Sequence, residues 1–273
     1  MRTAVTAFEL VEPRSLAHAL AVLRDGRPIV PLAGCTDLYV ALNAGTPPGV
    51  RYLNLQPLDA LRGIRRKDGL VSIGALATFS EIARSEVIAR HLPALAAAAR
   101  EIGAVQIQNR GTIGGNVANG SPAGDSLPVL AAVDAVVALR SAGGIRRVPF
   151  GGFYTGYRRS VRRPDELIVA VEVPPVEGRQ WFRKVGTRAA QTISKVVVAA
   201  VRAPRPRIAF GSIAPTVVRV TRTEDVLASG GTIDEAVAML EAEIDPIDDI
   251  RSTSAYRRRV AGNLLRQFWT ETA

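Results

Sequence analysis

The chain has 273 residues, of which 47% are hydrophobic and 22% charged, a balance typical of globular proteins with a substantial core. This composition excludes wholesale disorder, and no apolar run approaches the roughly 18 residues that a membrane-spanning helix needs. Because the N-terminal residues lack an apolar stretch followed by a cleavage site, we expect a cytoplasmic protein.

The formal net charge of +10 would suit a nucleic-acid-binding protein. The basic residues are scattered in short groups, however, and aromatic residues make up only 5% of the chain, so no stacking platform accompanies them. We therefore expect no nucleic-acid partner. The charge is better explained by solvated faces together with an acidic partner surface or an anionic cofactor.

One cysteine, Cys35, and two histidines, His18 and His91, limit the metal chemistry of this chain. A single thiol can form no internal disulfide and cannot hold an iron–sulfur cluster, which needs three or four thiolates. Both histidines lie in stretches typical of helices, without a second ligand at metal-binding spacing. We therefore expect no metal in this chain, and any such centre would lie on a partner.

The first predicted elements alternate helix and strand. Ser15 precedes apolar residues spaced three and four apart, which predicts a capped helix that ends near Gly26. Residues 28–33 form a short apolar run that we interpret as a buried strand. A tight turn at residues 34–37 then leads into a helix that begins near Leu38.

The next segment ends in an unusual glycine-rich stretch. Residues 69–76 predict a strand, and Thr78 or Ser80 is the predicted cap of the helix that follows. Residues 92–102 predict an Ala-rich helix. Residues 106–126 are then polar and rich in glycine, which predicts a long loop of the kind that usually carries function.

Strands are more frequent in the rest of the chain. Residues 135–139 and 145–148 predict a hairpin, and alternating apolar residues at 166–173 predict a strand that closes a domain. The final helix is expected to begin at a cap, Ser252 or Ser254, because apolar residues follow at every fourth position. Three further strands are predicted at residues 181–185, 196–202 and 208–213.

Two glycine-rich segments at predicted helix starts, residues 33–37 and 111–125, are candidate binding loops. Glycine lets the backbone approach a ligand closely, and free amides at a helix start favour an anion, so two such loops would suit a diphosphate. Taken alone, the first loop could equally be a turn with a helix cap. Donor and acceptor side chains that suit a nucleotide cofactor lie in both loops: Thr36, Asp37, Thr112, Asn116, Ser121 and Asp125.

Both loops resemble motifs of a known family. Residues 33–38, Ala-Gly-Cys-Thr-Asp-Leu, resemble the A-G-G-T-D-L motif, and residues 109–126 resemble the motif T-I-G-G-N-x-A-N-x-S-P-x-x-D. Both motifs belong to the FAD-binding medium subunit of molybdenum hydroxylases, a group with bacterial xanthine dehydrogenases and aerobic carbon monoxide dehydrogenases. The resemblance extends through residues 184–186, 249–251 and 256–257, so it covers essentially the whole chain.

The resemblance implies an α+β fold, in which a two-lobed FAD-binding domain of the vanillyl-alcohol-oxidase (PCMH) type precedes a C-terminal lobe of antiparallel sheet and helices. We expect the lobes to span residues 1–55, 56–175 and 176–273, with the flavin between the first two. The FAD contacts that the resemblance implies are Leu32, Ala33, Gly34, Cys35, Thr36, Asp37, Leu38, Ile102, Gly103, Thr112, Gly114, Gly115, Asn116, Ala118, Ser121, Asp125, Ile168 and Lys184.

The resemblance also implies an electron-transfer role without a catalytic residue in this chain. Substrate would be oxidised at a molybdenum cofactor on a large subunit, and electrons would cross two [2Fe-2S] clusters on a small subunit. FAD in this chain would then pass them to an acceptor, which is NAD, a quinone or oxygen. Two alternatives remain open: a self-contained FAD oxidoreductase of the same superfamily, and a scaffold subunit without flavin.

Cys35 departs from the family motif, which has glycine at this position. A non-glycine residue held at positive φ would be strained by about 1 kcal/mol or more. We therefore expect that φ is not restricted at this position. The thiol is expected to be partly exposed and to face the cofactor pocket.

Overall fold

A small parallel sheet and two helices open the fold. The computed structural model describes residues 8–188 and 191–273. The sheet has the order β1-β3-β2, and the predicted Ser15 cap is confirmed, because its hydroxyl accepts from the His18 amide at 3.1 Å. The elements are β1 (Glu9–Val11), α1 (Leu16–Arg24), β2 (Val30–Leu32), α2 (Leu38–Asn43) and β3 (Arg51–Asn54).

A five-stranded antiparallel sheet with helices packed against it forms the second unit. The sheet order is β4-β5-β10-β6-β7, and a separate two-stranded sheet joins β8 and β9. The strands are β4 (Ile64–Lys67), β5 (Leu70–Gly74), β6 (Val136–Ser141), β7 (Gly144–Pro149), β8 (Tyr154–Gly156), β9 (Arg159–Ser160) and β10 (Leu167–Val173). The helices are α3 (Phe79–Arg84), α4 (Glu86–His91), α5 (Pro93–Glu101), α6 (Val105–Gln108), α7 (Ile113–Asn119) and α8 (Ser126–Ala132).

The last unit is a four-stranded antiparallel sheet with three helices on one face. Its strands lie in chain order, and this arrangement confirms the α+β fold predicted from the sequence. The elements are β11 (Arg179–Val185), β12 (Val196–Arg202), β13 (Arg207–Gly211), β14 (Val218–Arg219), α9 (Thr221–Ala228), α10 (Ile233–Glu243) and α11 (Ser254–Glu271).

Two local predictions are corrected by the structure. Residues 106–126 are not one long loop, because α7 lies inside this segment. Helix α7 packs so closely on Ala75 that glycine is required at position 114, since a Cβ there would lie 2.6 Å from the Cβ of Ala75. This packing stabilises the helix in spite of the low helix propensity of glycine. The cap of α11 is neither Ser252 nor Ser254 but Thr253, whose hydroxyl accepts from the Tyr256 amide at 3.2 Å.

Strand β12 joins two hydrophobic cores. Its alternate residues Val197, Ala199 and Val201 belong to the core of the second unit, whereas the residues between them face the core beneath α9, α10 and α11. A run of valine and alanine buried on both faces explains why this strand is apolar throughout rather than alternating. The C-terminal unit is therefore packed directly against the second unit. A third core, around Leu53 and Leu61, underlies the first sheet.

Within the described part of the chain, no helix is both long and apolar enough to cross a lipid bilayer. His18 lies in α1 and His91 at the end of α4. Among the same residues, no three side chains of His, Cys, Asp or Glu come together as metal ligands.

The packing of α5 is expected to dominate local stability. Leu95, which is 0% exposed, lies in the core of the second unit. Replacing Leu95 with Ala should lower the free energy of unfolding by about 2–5 kcal/mol, because it leaves a cavity. Leu10→Ala is the matched control, since Leu10 is 54% exposed, and should cost less than about 1 kcal/mol in urea or thermal unfolding. Equal losses in the two variants would contradict this assignment.

Candidate functional site

The two predicted loops meet in the structure. Gly34 packs so closely on the second loop that a Cβ added to it would lie 1.9 Å from the carbonyl oxygen of Arg110. Thr36 reaches the same point, because its Oγ1 lies 3.6 Å from a Cβ built on Gly111. Residues far apart in sequence thus form one wall, and only glycine fits at position 34.

The first loop presents a row of unused backbone amides. Cys35 has φ +66°, so the expectation that its φ is not restricted is wrong. Among the hydrogen bonds of the described residues, none has the amide of residues 34–38 as donor. Successive amides next to a left-handed residue form an anion-binding concavity. The family's glycine at position 35 is explained by this left-handed backbone, which cysteine adopts here at an energetic cost.

In the second loop, the first amides of α7 are used within the protein. The Thr112 hydroxyl caps α7 by accepting from the Gly115 amide at 3.1 Å. The amides of Ile113 and Gly114 donate to the carbonyls of Ala77 and Ala75, at 3.0 and 2.9 Å. The expectation of free amides at the start of α7 is therefore wrong, although the amides of Thr112, Ser121 and Asp125 elsewhere in this loop donate no hydrogen bond among the described residues.

Three adjoining cavities follow the loops. The middle cavity, about 510 Å³, lies between residues 30–41 and 111–119 and is bordered by Cys35, whose partial exposure was predicted. A small apolar cavity of about 80 Å³ shares Ala33 and Gly115 with it. A wide cavity of about 840 Å³ shares Asn116 with it and extends to the C-terminal unit.

All the predicted contact residues except Lys184 border these cavities. The middle cavity is bordered by Leu32, Ala33, Gly34, Cys35, Thr36, Asp37, Leu38, Ile102, Thr112, Gly115, Asn116 and Ala118. The wide cavity adds Gly103, Ser121 and Asp125. The small cavity adds Gly114 and Ile168.

Lys184 is buried beside the wide cavity, and its ammonium group makes hydrogen bonds within the protein. Its Nζ donates to Asp125 Oδ2 at 2.6 Å and to the Glu101 carbonyl at 2.9 Å, and its side chain is 3% exposed. Burial raises the pKa of Asp125 to about 6, although the Lys184 ammonium and, more weakly, the Ser194 hydroxyl act in the opposite direction. The second oxygen of this carboxylate, Oδ1, is buried without a partner among the described residues. It is therefore an available acceptor.

The segment before Asp125 is hydrogen-bonded to the C-terminal unit. The Ser194 hydroxyl donates to the Ala123 carbonyl at 3.3 Å, and the Ser212 amide donates to the Pro122 carbonyl at 2.8 Å. The two serine hydroxyls are buried and lie 3.1 Å apart. The wide cavity is thus a boundary between the second and C-terminal units that both units build.

Two arginines at the cavities were not selected from the sequence. Arg158 lies where the middle and wide cavities meet, and its Nη1 donates to Asn119 Oδ1 at 3.0 Å. Arg162 borders the middle and small cavities, and its Nη1 donates to the Glu166 carbonyl at 2.8 Å. In sequence both belong to short arginine groups, and no spacing distinguishes them from surface charges.

Comparison with known proteins gives matches along almost the whole chain. Residues 6–176 match the family described as FAD binding domain in molybdopterin dehydrogenase, and residues 178–272 match CO dehydrogenase flavoprotein C-terminal domain. The chain is 30% identical to the xanthine dehydrogenase FAD-binding subunit of Escherichia coli O157:H7, covering 94% of this chain and 93% of that one. It is also 30% identical to the carbon monoxide dehydrogenase medium chain of Hydrogenophaga pseudoflava, covering 95% of each.

A solved structure agrees with these sequence matches. The carbon monoxide dehydrogenase of Hydrogenophaga pseudoflava that lacks the Mo-pyranopterin moiety of its molybdenum cofactor superposes with a TM-score of 0.91 at 28% identity. The alignment covers 98% of this chain and 99% of the other. The arrangement of the units is therefore shared over the full length.

The backbone at position 35 makes a test of strain possible. Cys35→Gly is expected to be more stable than Cys35→Ala by about 1 kcal/mol, because alanine retains the strain of positive φ and glycine does not. Both variants lose the bond from the thiol to the Ala33 carbonyl, at 3.3 Å, so this loss cancels in the comparison. Chemical unfolding measures the difference. An alanine variant as stable as the glycine variant would show that position 35 is not held left-handed.

Proposed function

Because the chain belongs to the FAD-binding medium subunits of molybdenum hydroxylases, we propose that it binds FAD along the three adjoining cavities and conducts electrons from a partner to an external acceptor. The single observation that carries the placement is the meeting of residues 33–37 with residues 110–111. It brings the unused amides of the first loop to the middle of a continuous cleft.

The residues present fit this cofactor. The row of free amides at residues 34–38 suits the diphosphate, and Arg158 and Arg162 border the same cavity with positive charge. The orphaned Oδ1 of Asp125 provides the acceptor that a ribityl hydroxyl or a ring N–H requires. The unpaired Oδ1 would be costly in a protein without a ligand at this place, since unpaired buried polar groups are destabilising.

The lining and the relative sizes of the end cavities support one placement of the two ring systems. With the diphosphate in the middle, adenine and the three-ring flavin must lie at opposite ends. The small cavity is lined mainly by apolar side chains, including Leu55 and Ile168, and suits the adenine. The wide cavity has more than enough room for the larger ring, and polar groups from two units line it. In this placement, Lys184 holds Asp125 rather than touching the cofactor.

FAD supplies redox chemistry that joins single-electron donors to a two-electron acceptor. The residues of this chain bind the cofactor, fix the orientation of its rings and shield them from water. Substrate oxidation then belongs to a large subunit with a molybdenum cofactor, and a small subunit with two [2Fe-2S] clusters donates the electrons. The net charge of +10 suits acidic docking surfaces on these partners.

We also propose the division into residues 1–55, 56–175 and 176–273. It is supported by the three hydrophobic cores, although four residues of the second segment pack in the core of the first: Leu58, Leu61, Leu76 and Leu167. The first two segments would then share the cofactor, and the third would close the wide cavity.

Purification of the full chain separates the proposal from its alternatives. We expect the protein to bind FAD and to show flavin absorbance that is bleached only by its partner subunits or an artificial donor. Turnover of a substrate by the isolated chain would instead favour a self-contained oxidoreductase. A chain that cannot be loaded with FAD would be a scaffold subunit, and the proposal would fail.

Substitution at Gly34 tests the meeting of the loops. Gly34→Ala should weaken FAD binding by roughly tenfold or more, because its Cβ would lie 1.9 Å from the Arg110 carbonyl oxygen and force the loops apart. Gly151→Ala is the control, since a Cβ there has no atom within 4 Å. Fluorescence titration of FAD into apoprotein measures both. Unchanged FAD affinity in Gly34→Ala would show that the diphosphate does not bind at this loop.

The raised pKa of Asp125 predicts a pH dependence. A ligand N–H or O–H that donates to the carboxylate competes with the proton, so FAD affinity should fall as the pH drops below about 6, by up to about tenfold per unit. Asp125→Asn should bind more weakly at pH 8 and lose the inflection, because the amide does not titrate. An inflection that survives in Asp125→Asn would assign the titration to another group.

A further inference from the structure

One residue at the wide cavity has an unused polar atom that no contact described above explains. Arg257 is 4% exposed and borders this cavity, yet its Nε has no partner among the described residues. A buried N–H without an acceptor costs about 1–3 kcal/mol. Native proteins rarely retain such a group unless a ligand or water completes it. Besides Asp125 Oδ1, it is the unpartnered buried side-chain atom found at this cavity in the described residues.

The guanidinium of Arg257 is rigidly held. Its Nη1 donates to the Ser212 carbonyl, and its Nη2 donates to Asp249 Oδ1 at 2.6 Å. Asp249 is fixed in turn, since the same oxygen accepts from the amides of Arg251 and Ser252 at 2.8 and 3.1 Å. Burial alone would raise the pKa of Asp249, but these hydrogen bonds outweigh it and hold the pKa below its usual range. Asp249 is therefore ionised at neutral pH, and these hydrogen bonds fix the position of the Arg257 guanidinium.

We infer that Arg257 Nε donates a hydrogen bond to a carbonyl on the pyrimidine edge of the FAD ring and that Arg257 and Asp249 together set the reduction potential of the flavin. This inference rests on the proposed placement of the ring in the wide cavity. The pyrimidine edge alternates C=O and N–H groups, so it needs both a donor and an acceptor. Among the described side chains, Arg257 Nε is the buried free donor at this cavity and Asp125 Oδ1 is the buried free acceptor.

The two charges act in opposite directions on the ring. Reduction adds electron density to the pyrimidine edge, so a cationic donor held there favours the reduced state. Asp249 offsets part of this effect because it places a negative charge beside the guanidinium. Of the other charged side chains at the cavity, Asp37, Arg158 and Arg251 are exposed, and solvent screens them. Asp125 is buried, and the ammonium group of Lys184 balances its charge.

Potentiometric titration of the FAD-loaded full chain tests the inference. Arg257→Gln should weaken FAD binding by roughly tenfold or more, as expected for the loss of a charged hydrogen bond, and should lower the reduction potential. Asp249→Asn should raise the potential, because the amide oxygen still accepts from Arg257 but no longer offsets its charge. Arg257→Lys should lower the reduction potential less than Arg257→Gln does, because the positive charge remains. It should still weaken FAD binding, since lysine has no Nε–H in this position.

Arg259→Gln is the matched control. Arg259 lies on the same helix, is exposed and makes no hydrogen bond or ion pair among the described residues, so its loss should change neither potential nor affinity. Shifts of the same sign in the Arg257→Gln and Asp249→Asn proteins, or no shift in either, would overturn the inference. If both Arg257 variants fail to fold, Asp249→Asn decides alone, and an unchanged or lowered potential rejects it. A wild-type chain that takes up no FAD refutes the proposed function instead.

Discussion

The ammonium group of Lys184 fixes the geometry on which the cleft depends. From strand β11 of the C-terminal sheet it reaches the last residue of α5, through the Glu101 carbonyl, and the residue that precedes α8, Asp125. A buried charge is costly without its partners, so this contact favours the observed arrangement of the three elements. The residues that follow α5 and precede α8 line the wide cavity, and their positions are set by this contact.

The middle of the cleft depends on a different physical factor, which is the close approach of two backbones. Gly34 and Gly114 both lie where a side chain would collide with the neighbouring element. The left-handed backbone at Cys35 turns the amides of the first loop away from internal partners. The shape of the cleft therefore comes from Gly34 and Gly114. Its free amide donors depend on the strained backbone of Cys35.

Local signals in the sequence predicted most helices and strands, but they could not predict contacts between residues far apart in the chain. The caps at Ser15 and Thr78 are decided within a few residues, and both are found in the structure. The glycine loops were recognisable because their composition differs from that of their surroundings. Lys184, in contrast, meets a carboxylate 59 positions away, and nothing in its neighbours indicates this partner.

The incorrect and missed predictions also involve contacts between residues far apart in the chain. Glycines at 114 and 115 suggested a loop, but packing against Ala75 overrides their low helix propensity. The φ of Cys35 was signalled only by the glycine that the family has there. Arg257 could not be distinguished from its neighbours Arg258 and Arg259, since its burial follows from the position of Ser212, 45 residues earlier.

The double burial of β12 bears on how such proteins can diversify. One face of this strand completes the interior of the second unit, and the other completes the interior under the C-terminal helices. The C-terminal unit is therefore not an interchangeable module, although its sequence boundary is clear. A chimera that exchanged it between distant relatives would have to carry matching apolar surfaces from both sides of the junction, so natural variation in this region should proceed by paired substitutions rather than by recombination.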